Sequence, residues 1–145
     1  MWKKANILKH VVILWLMIFT ACASVHENRN SKIQNPTGIL WEWNKTINSD
    51  DTESAPSNPE NYTLQLLPDG RVSIKADCNL GGGNYSLNEG QISIKITHTT
   101  MAACPEGSYE MTYIRDLDMV AGFHIKGEIL YLDLKKDAGV MLFLK

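Results

Sequence analysis

Tyr62-Thr63-Leu64-Gln65-Leu66, Pro68-Asp69-Gly70 and Arg71-Val72-Ser73-Ile74-Lys75-Ala76 form the stretch that decides the fold. Each flank alternates apolar and polar residues at period two, which puts one face of an extended strand in a core and the other in water. The Pro-Asp-Gly between them supplies a fixed φ, a short polar side chain and a glycine, which is turn chemistry. The stretch reads as a β-hairpin.

The same grammar continues on both sides. Leu40-Trp41-Glu42-Trp43 alternates two tryptophans around a glutamate and predicts a first strand, with core packing as the default for both indoles. Residues 47–61 are rich in Ser, Asp, Asn and Pro and predict a loop. Downstream, Tyr85-Ser86-Leu87, the Asn88-Glu89-Gly90 turn and Gln91-Ile92-Ser93-Ile94-Lys95-Ile96 predict a second hairpin. Met111, Ile114, Leu117 and Val120 recur at helical spacing, with Pro105 before them and Gly122 after. Strands then follow at 124–126, 129–134 and 140–144. The expected fold is α+β: a mostly antiparallel, curved or partly barrel-like sheet with one helix inserted late in the chain.

The 145 residues are 44% hydrophobic and 21% charged, ordinary values for a globular chain. The first 21 residues read differently. A basic start with Lys3, Lys4 and Lys9 precedes a short apolar run at 11–21 that ends in small residues. That run is too short to span a bilayer comfortably and has the form of a secretory signal. Phe19-Thr20-Ala21-Cys22 resembles a bacterial lipobox, which makes Cys22 the expected lipidation site and residues 22–36 a polar tether. Ala21-Cys22-Ala23 supports the alternative of cleavage before Ser24, giving a soluble secreted or periplasmic protein, and a retained membrane anchor is a third option. All three place the domain in or beyond the cell envelope. Removing the signal takes three positive charges from a chain already at net −2, so no basic stripe remains to neutralise phosphates, and nucleic acid is not an expected partner.

At Ala76-Asp77-Cys78-Asn79, followed by Gly82-Gly83-Asn84-Tyr85, the sequence resembles the signature of META domains, the HslJ-like heat-shock family. Thr99-Thr100-Met101-Ala102-Ala103-Cys104-Pro105 resembles that family's second signature. The resemblance covers residues 37–145. Many members carry Gly where Asp77 stands and a basic residue where Leu80 stands. Membership implies a small, partly barrel-like α+β domain in envelope or stress-associated proteins, and it implies no catalytic mechanism.

Cys78 and Cys104 are the cysteines that remain once Cys22 is lipidated or removed. In an oxidising compartment the expected fate is a disulfide, worth about 3 kcal/mol in the chain-entropy model. Two buried thiols are the plainer alternative. His98 lies between them in sequence, yet Cys78, His98 and Cys104 match no zinc spacing, so no metal or other cofactor is expected. A Cys-His nucleophile would require a free thiol, and His124 reads as an ordinary strand residue. Gly81-Gly82-Gly83 lacks the spacing of a phosphate loop and fits a bend or bulge in a curved sheet. Asp77 and Asn79, flanking Cys78, are the candidate ligand-facing side chains. The expected function is that of a non-enzymatic, membrane-tethered binding module, with a secreted inhibitor or accessory protein as the alternative and an enzyme using Cys78 or Cys104 as the third reading.

Overall fold

The computed structural model describes residues 35–145; the leader, Cys22 and most of the tether lie outside them. Among the described residues nine strands and one α-helix follow in order: β1 (Leu40–Asn48), β2 (Glu53–Ser54), β3 (Tyr62–Leu66), β4 (Arg71–Ala76), β5 (Asn79–Asn88), β6 (Gln91–Thr99), α1 (Glu110–Asp118), β7 (Val120–Lys126), β8 (Ile129–Leu134) and β9 (Gly139–Leu144). Every pairing is antiparallel between neighbours, and β1 also pairs with β9. That last ladder closes eight of the strands into a barrel, with β2 appended to the outer half of β1.

The decisive hairpin has the expected bounds, with Leu64 opposite Ile74 and Leu66 opposite Val72. Alternation drives these side chains inward, and all four are buried. Trp41 and Trp43 from β1 are fully buried beside them. Their indole N–H groups donate to Pro36 O at 2.9 Å and Thr46 Oγ1 at 3.2 Å, so neither ring leaves a polar atom stranded in the core.

Several boundaries differ from the sequence expectation. β1 runs on to Asn48 because its second half pairs with β9, and residues 47–61 include β2 and a 3-10 turn, Pro59–Asn61. β5 starts at Asn79, so the glycine run is in a strand. A bulge lies between Gly82 and Gly83, and a Cβ on Gly83 would sit 1.9 Å from the Lys95 carbonyl oxygen. The bare backbone there permits an approach that no side chain would allow.

The helix begins five residues after Pro105 and ends at Asp118, before Val120. Val120 and Gly122 belong to β7 instead. Val120 continued the helical spacing by coincidence; as a strand residue it faces Leu134 and is fully buried.

The helix fills a gap in the sheet. β6 and β7 share one ladder pair, Gln91 with Gly122. Asp118 spans the seam, accepting from the Ile96 N–H at 3.2 Å and from Lys95 Nζ at 3.2 Å. Tyr113 enters the interior from α1, its ring 5.2 Å from Trp43, 5.6 Å from Tyr62 and 6.2 Å from Phe143. Such offset and edge contacts between aromatic rings add to plain burial.

The two ends of the barrel differ. Residues 36–38 and Lys145 lie at the end where β1 starts and β9 finishes. The β4–β5 turn, residues 100–109 and the start of α1 cluster at the other, the helix end.

Candidate functional site

The β4–β5 connection is two residues long, Asp77-Cys78, with Ala76 opposite Asn79. Asp77 has φ 58°, in the left-handed region that glycine occupies freely and Asp tolerates. The Asp77 N–H donates to Asn61 O at 2.7 Å, tying the turn to the 3-10 segment.

Cys78 is bonded to Cys104, with the Cα atoms 5.4 Å apart. The bridge joins the turn to the segment leading into α1. Asn79 reinforces it from inside. Its Nδ2 donates to Ala102 O at 2.9 Å and Glu110 Oε1 at 2.8 Å, and its Oδ1 accepts from Thr100 Oγ1 at 2.7 Å and the Ala102 N–H at 2.8 Å. Two donated and two accepted bonds exhaust a primary amide. The Leu80 N–H donates in turn to Thr100 Oγ1 at 3.0 Å. Both stretches singled out in the sequence are thus one joint at the helix end of the barrel.

Asp77 and Asn79 therefore part company. Asn79 is buried and its side chain is spent within the fold. Asp77 lines a polar cleft of about 280 Å³. One wall of that cleft is Pro56, Ser57, Asn58 and Asn61; the other is Pro105, Glu106, Gly107 and Ser108. Tyr62 and Tyr109 continue it toward the aromatic interior, where Trp43 packs edge-on to both. The Tyr62 hydroxyl accepts from the Tyr109 N–H at 2.9 Å, which fixes the end of the second wall.

The histidines lie elsewhere. His98 is exposed on β6, its ring over Gly82 and its Nδ1 3.2 Å from Thr97 Oγ1. His124 stacks on Tyr131 at 4.5 Å, 3.7 Å from Asp133 Oδ2. Among the described residues no group of three or more His, Cys, Asp or Glu is arranged to hold a metal ion. Glu106, Tyr109 and Asn58 carried no sequence signal of their own. They are brought to the cleft from separate loops.

The sequence pattern of the META domain matches residues 37–145, which include the bridge, the Asn79 joint and the cleft. The chain belongs to the META domain family. No curated protein matches it. Two solved structures share the META fold seen here. A protein from Burkholderia xenovorans, solved by NMR, is 20% identical with a TM-score of 0.60, covering 75% of this chain and 82% of its own. A DUF4847 family protein from Bacteroides vulgatus is 13% identical with a TM-score of 0.55, covering 75% and 93%.

Proposed function

We propose that this META domain is a non-enzymatic binding module, tethered to the bacterial envelope through lipid on Cys22 and associated with stress, that holds its ligand or partner in the cleft beside the Cys78–Cys104 bridge. The observation that carries the reading is the cleft's construction. A concave polar surface with walls from separate loops is pinned by a covalent bridge, by the Asn79 amide and by the Tyr62 hydroxyl. Fixing a surface before the ligand arrives lowers the ordering cost of binding. The secreted inhibitor or accessory protein remains the second reading, favoured by the exposed residues 57 and 58 that form one wall.

The test is site-specific photocrosslinking of the full chain in its own cells. A photoreactive residue at Ser57, in the cleft, is expected to capture a species that the same residue at Glu128, in the β7–β8 turn, does not. Equal capture from both positions would overturn the assignment of the cleft. Intact mass of the membrane-extracted protein checks the anchor: lipid mass on Cys22 supports the tether, and a chain starting at Ser24 rejects it.

A further inference from the structure

We infer that the Cys78–Cys104 bridge is a thiol–disulfide exchange site, opened by a thiolate that attacks Cys78 and frees residues 103–107 while the barrel stays closed. Ala102 is gripped by the Asn79 amide, which donates to its carbonyl at 2.9 Å and accepts from its N–H at 2.8 Å. Tyr109 is gripped by the Tyr62 hydroxyl at 2.9 Å. Between those grips, Ala103, Pro105, Glu106 and Gly107 make no hydrogen bond or ion pair to the barrel among the described residues. The bond from the Ser108 N–H to Pro105 O at 3.2 Å stays within the loop. The strap is tied to the barrel through the Cys104 sulfur, which is bonded to Cys78 and lies 3.4 Å from Asn79 Nδ2. Pro105, Glu106 and Gly107 on this strap form most of one cleft wall.

The two cysteines are unequal. Cys78 is exposed, in a two-residue turn held by the Ala76–Asn79 pair and by the bond from the Asp77 N–H to Asn61 O. Cys104 is half-buried, on the strap. Access decides which sulfur of a disulfide is attacked, and exposed bridges are the labile ones. The thiolate sulfur therefore bonds to Cys78 Sγ as the Cys78–Cys104 bond breaks. The bonding pair leaves on Cys104 Sγ, which takes a proton from water. The incoming thiol is oxidised to a mixed disulfide with Cys78, and Cys104 is reduced. Cys78 stays fixed in its turn, whereas Cys104 is free to leave with the strap, which opposes re-closure. The thiolate belongs either to a small-molecule thiol or to a cysteine of a partner protein, and the bond it makes is the same.

The experiment treats the full chain, extracted in detergent, with 2-mercaptoethanol or a blocked cysteine pentapeptide at equal thiolate concentration. Free thiols are capped beforehand with iodoacetamide, newly freed ones are trapped with N-ethylmaleimide, and both are located by peptide mass. The mixed disulfide is expected on Cys78 at least about tenfold more often than on Cys104, which carries the maleimide instead. About 1 M urea is expected to change the rate less than about twofold, whereas a bridge reached only through global unfolding would open about fivefold faster or more. In the trapped product, amide exchange is expected to rise at 103–107 and to stay unchanged in β3 and β4. Faster reaction of the peptide than of 2-mercaptoethanol would assign the thiolate to a partner protein, and the reverse to a small molecule. Iodoacetamide on Cys78 and Cys104, no mixed disulfide with either probe, or one shared equally between the two cysteines would overturn the inference. A rate that climbs with urea as unfolding does, or exchange rising throughout the barrel, would overturn it as well.

Discussion

The side-chain amide of Asn79 donates to the carboxylate of Glu110 at 2.8 Å, joining the first residue of β5 directly to the first residue of α1. Its remaining bonds hold Thr100 and Ala102, so one buried side chain positions the whole approach to the helix. Asn79→Ala would lose all of the amide's bonds to Thr100, Ala102 and Glu110 at a buried position. The expected cost is about 3 kcal/mol, measured by urea unfolding of the full chain followed by tryptophan fluorescence. A loss under about 1 kcal/mol would mean the amide holds nothing that the disulfide does not already hold.

Replacing both Cys78 and Cys104 with serine tests the other half of the joint. A sequence separation of 26 residues gives an expected loss of about 3 kcal/mol on the chain-entropy account. Because Asn79 still grips residues 100–102, amide exchange should rise most at 103–108, along the cleft wall. Uniform loosening of the barrel would contradict this division of labour.

Tyr113 is fully buried, its hydroxyl finds no hydrogen-bond partner among the described residues, and burial pushes the phenol well above its ordinary 10.0. The folded chain thus holds its proton where the unfolded chain releases it. This contribution to stability is complete below pH 10.0 and is lost as pH rises from there toward the folded value. Tyr113→Phe keeps the ring and removes the stranded hydroxyl. It should raise the unfolding free energy by about 1 kcal/mol near neutral pH and flatten the alkaline limb of the stability profile. A lower midpoint at neutral pH would show that the hydroxyl has a partner after all.

Asp77 tests backbone conformation apart from charge. At φ 58°, Asp77→Gly should leave stability unchanged to within about 1 kcal/mol. Asp77→Val should cost about 1–2 kcal/mol, since a β-branched side chain crowds the left-handed region. Thermal unfolding of the two variants decides it, and equal midpoints would exclude a strained turn.

What was legible in the sequence was what alternation and turn chemistry encode locally. The β3–β4 hairpin and β8 have the expected bounds because each buries every second residue and is bounded by turn residues. Helix punctuation misled, since Val120 and Gly122 sit in β7 and Pro105 stands in the loop before α1. At the site, Asp77 and Asn79 looked alike as short polar neighbours of a cysteine. The turn between them breaks the strand alternation, sending one amide into the core and leaving the other side chain on the cleft. The Glu110 partner lies 31 residues away from Asn79, and no local pattern announces a buried hydrogen bond at that distance.

The pairing of β1 with β9 sets an order on biosynthesis. Trp43 lies opposite Phe143, so the first strand waits for the last six-residue strand before the sheet has a continuous wall. During synthesis both β1 and β8 expose an open edge until residues 139–144 emerge. Closure is then a single late event made by contacts nearly the length of the domain apart, the kind that forms slowly. A chain cut short before Gly139 would keep two unpaired strand edges, each a template for pairing with another chain. Residues 139–144 thus separate a closed sheet from one that could pair with its neighbours.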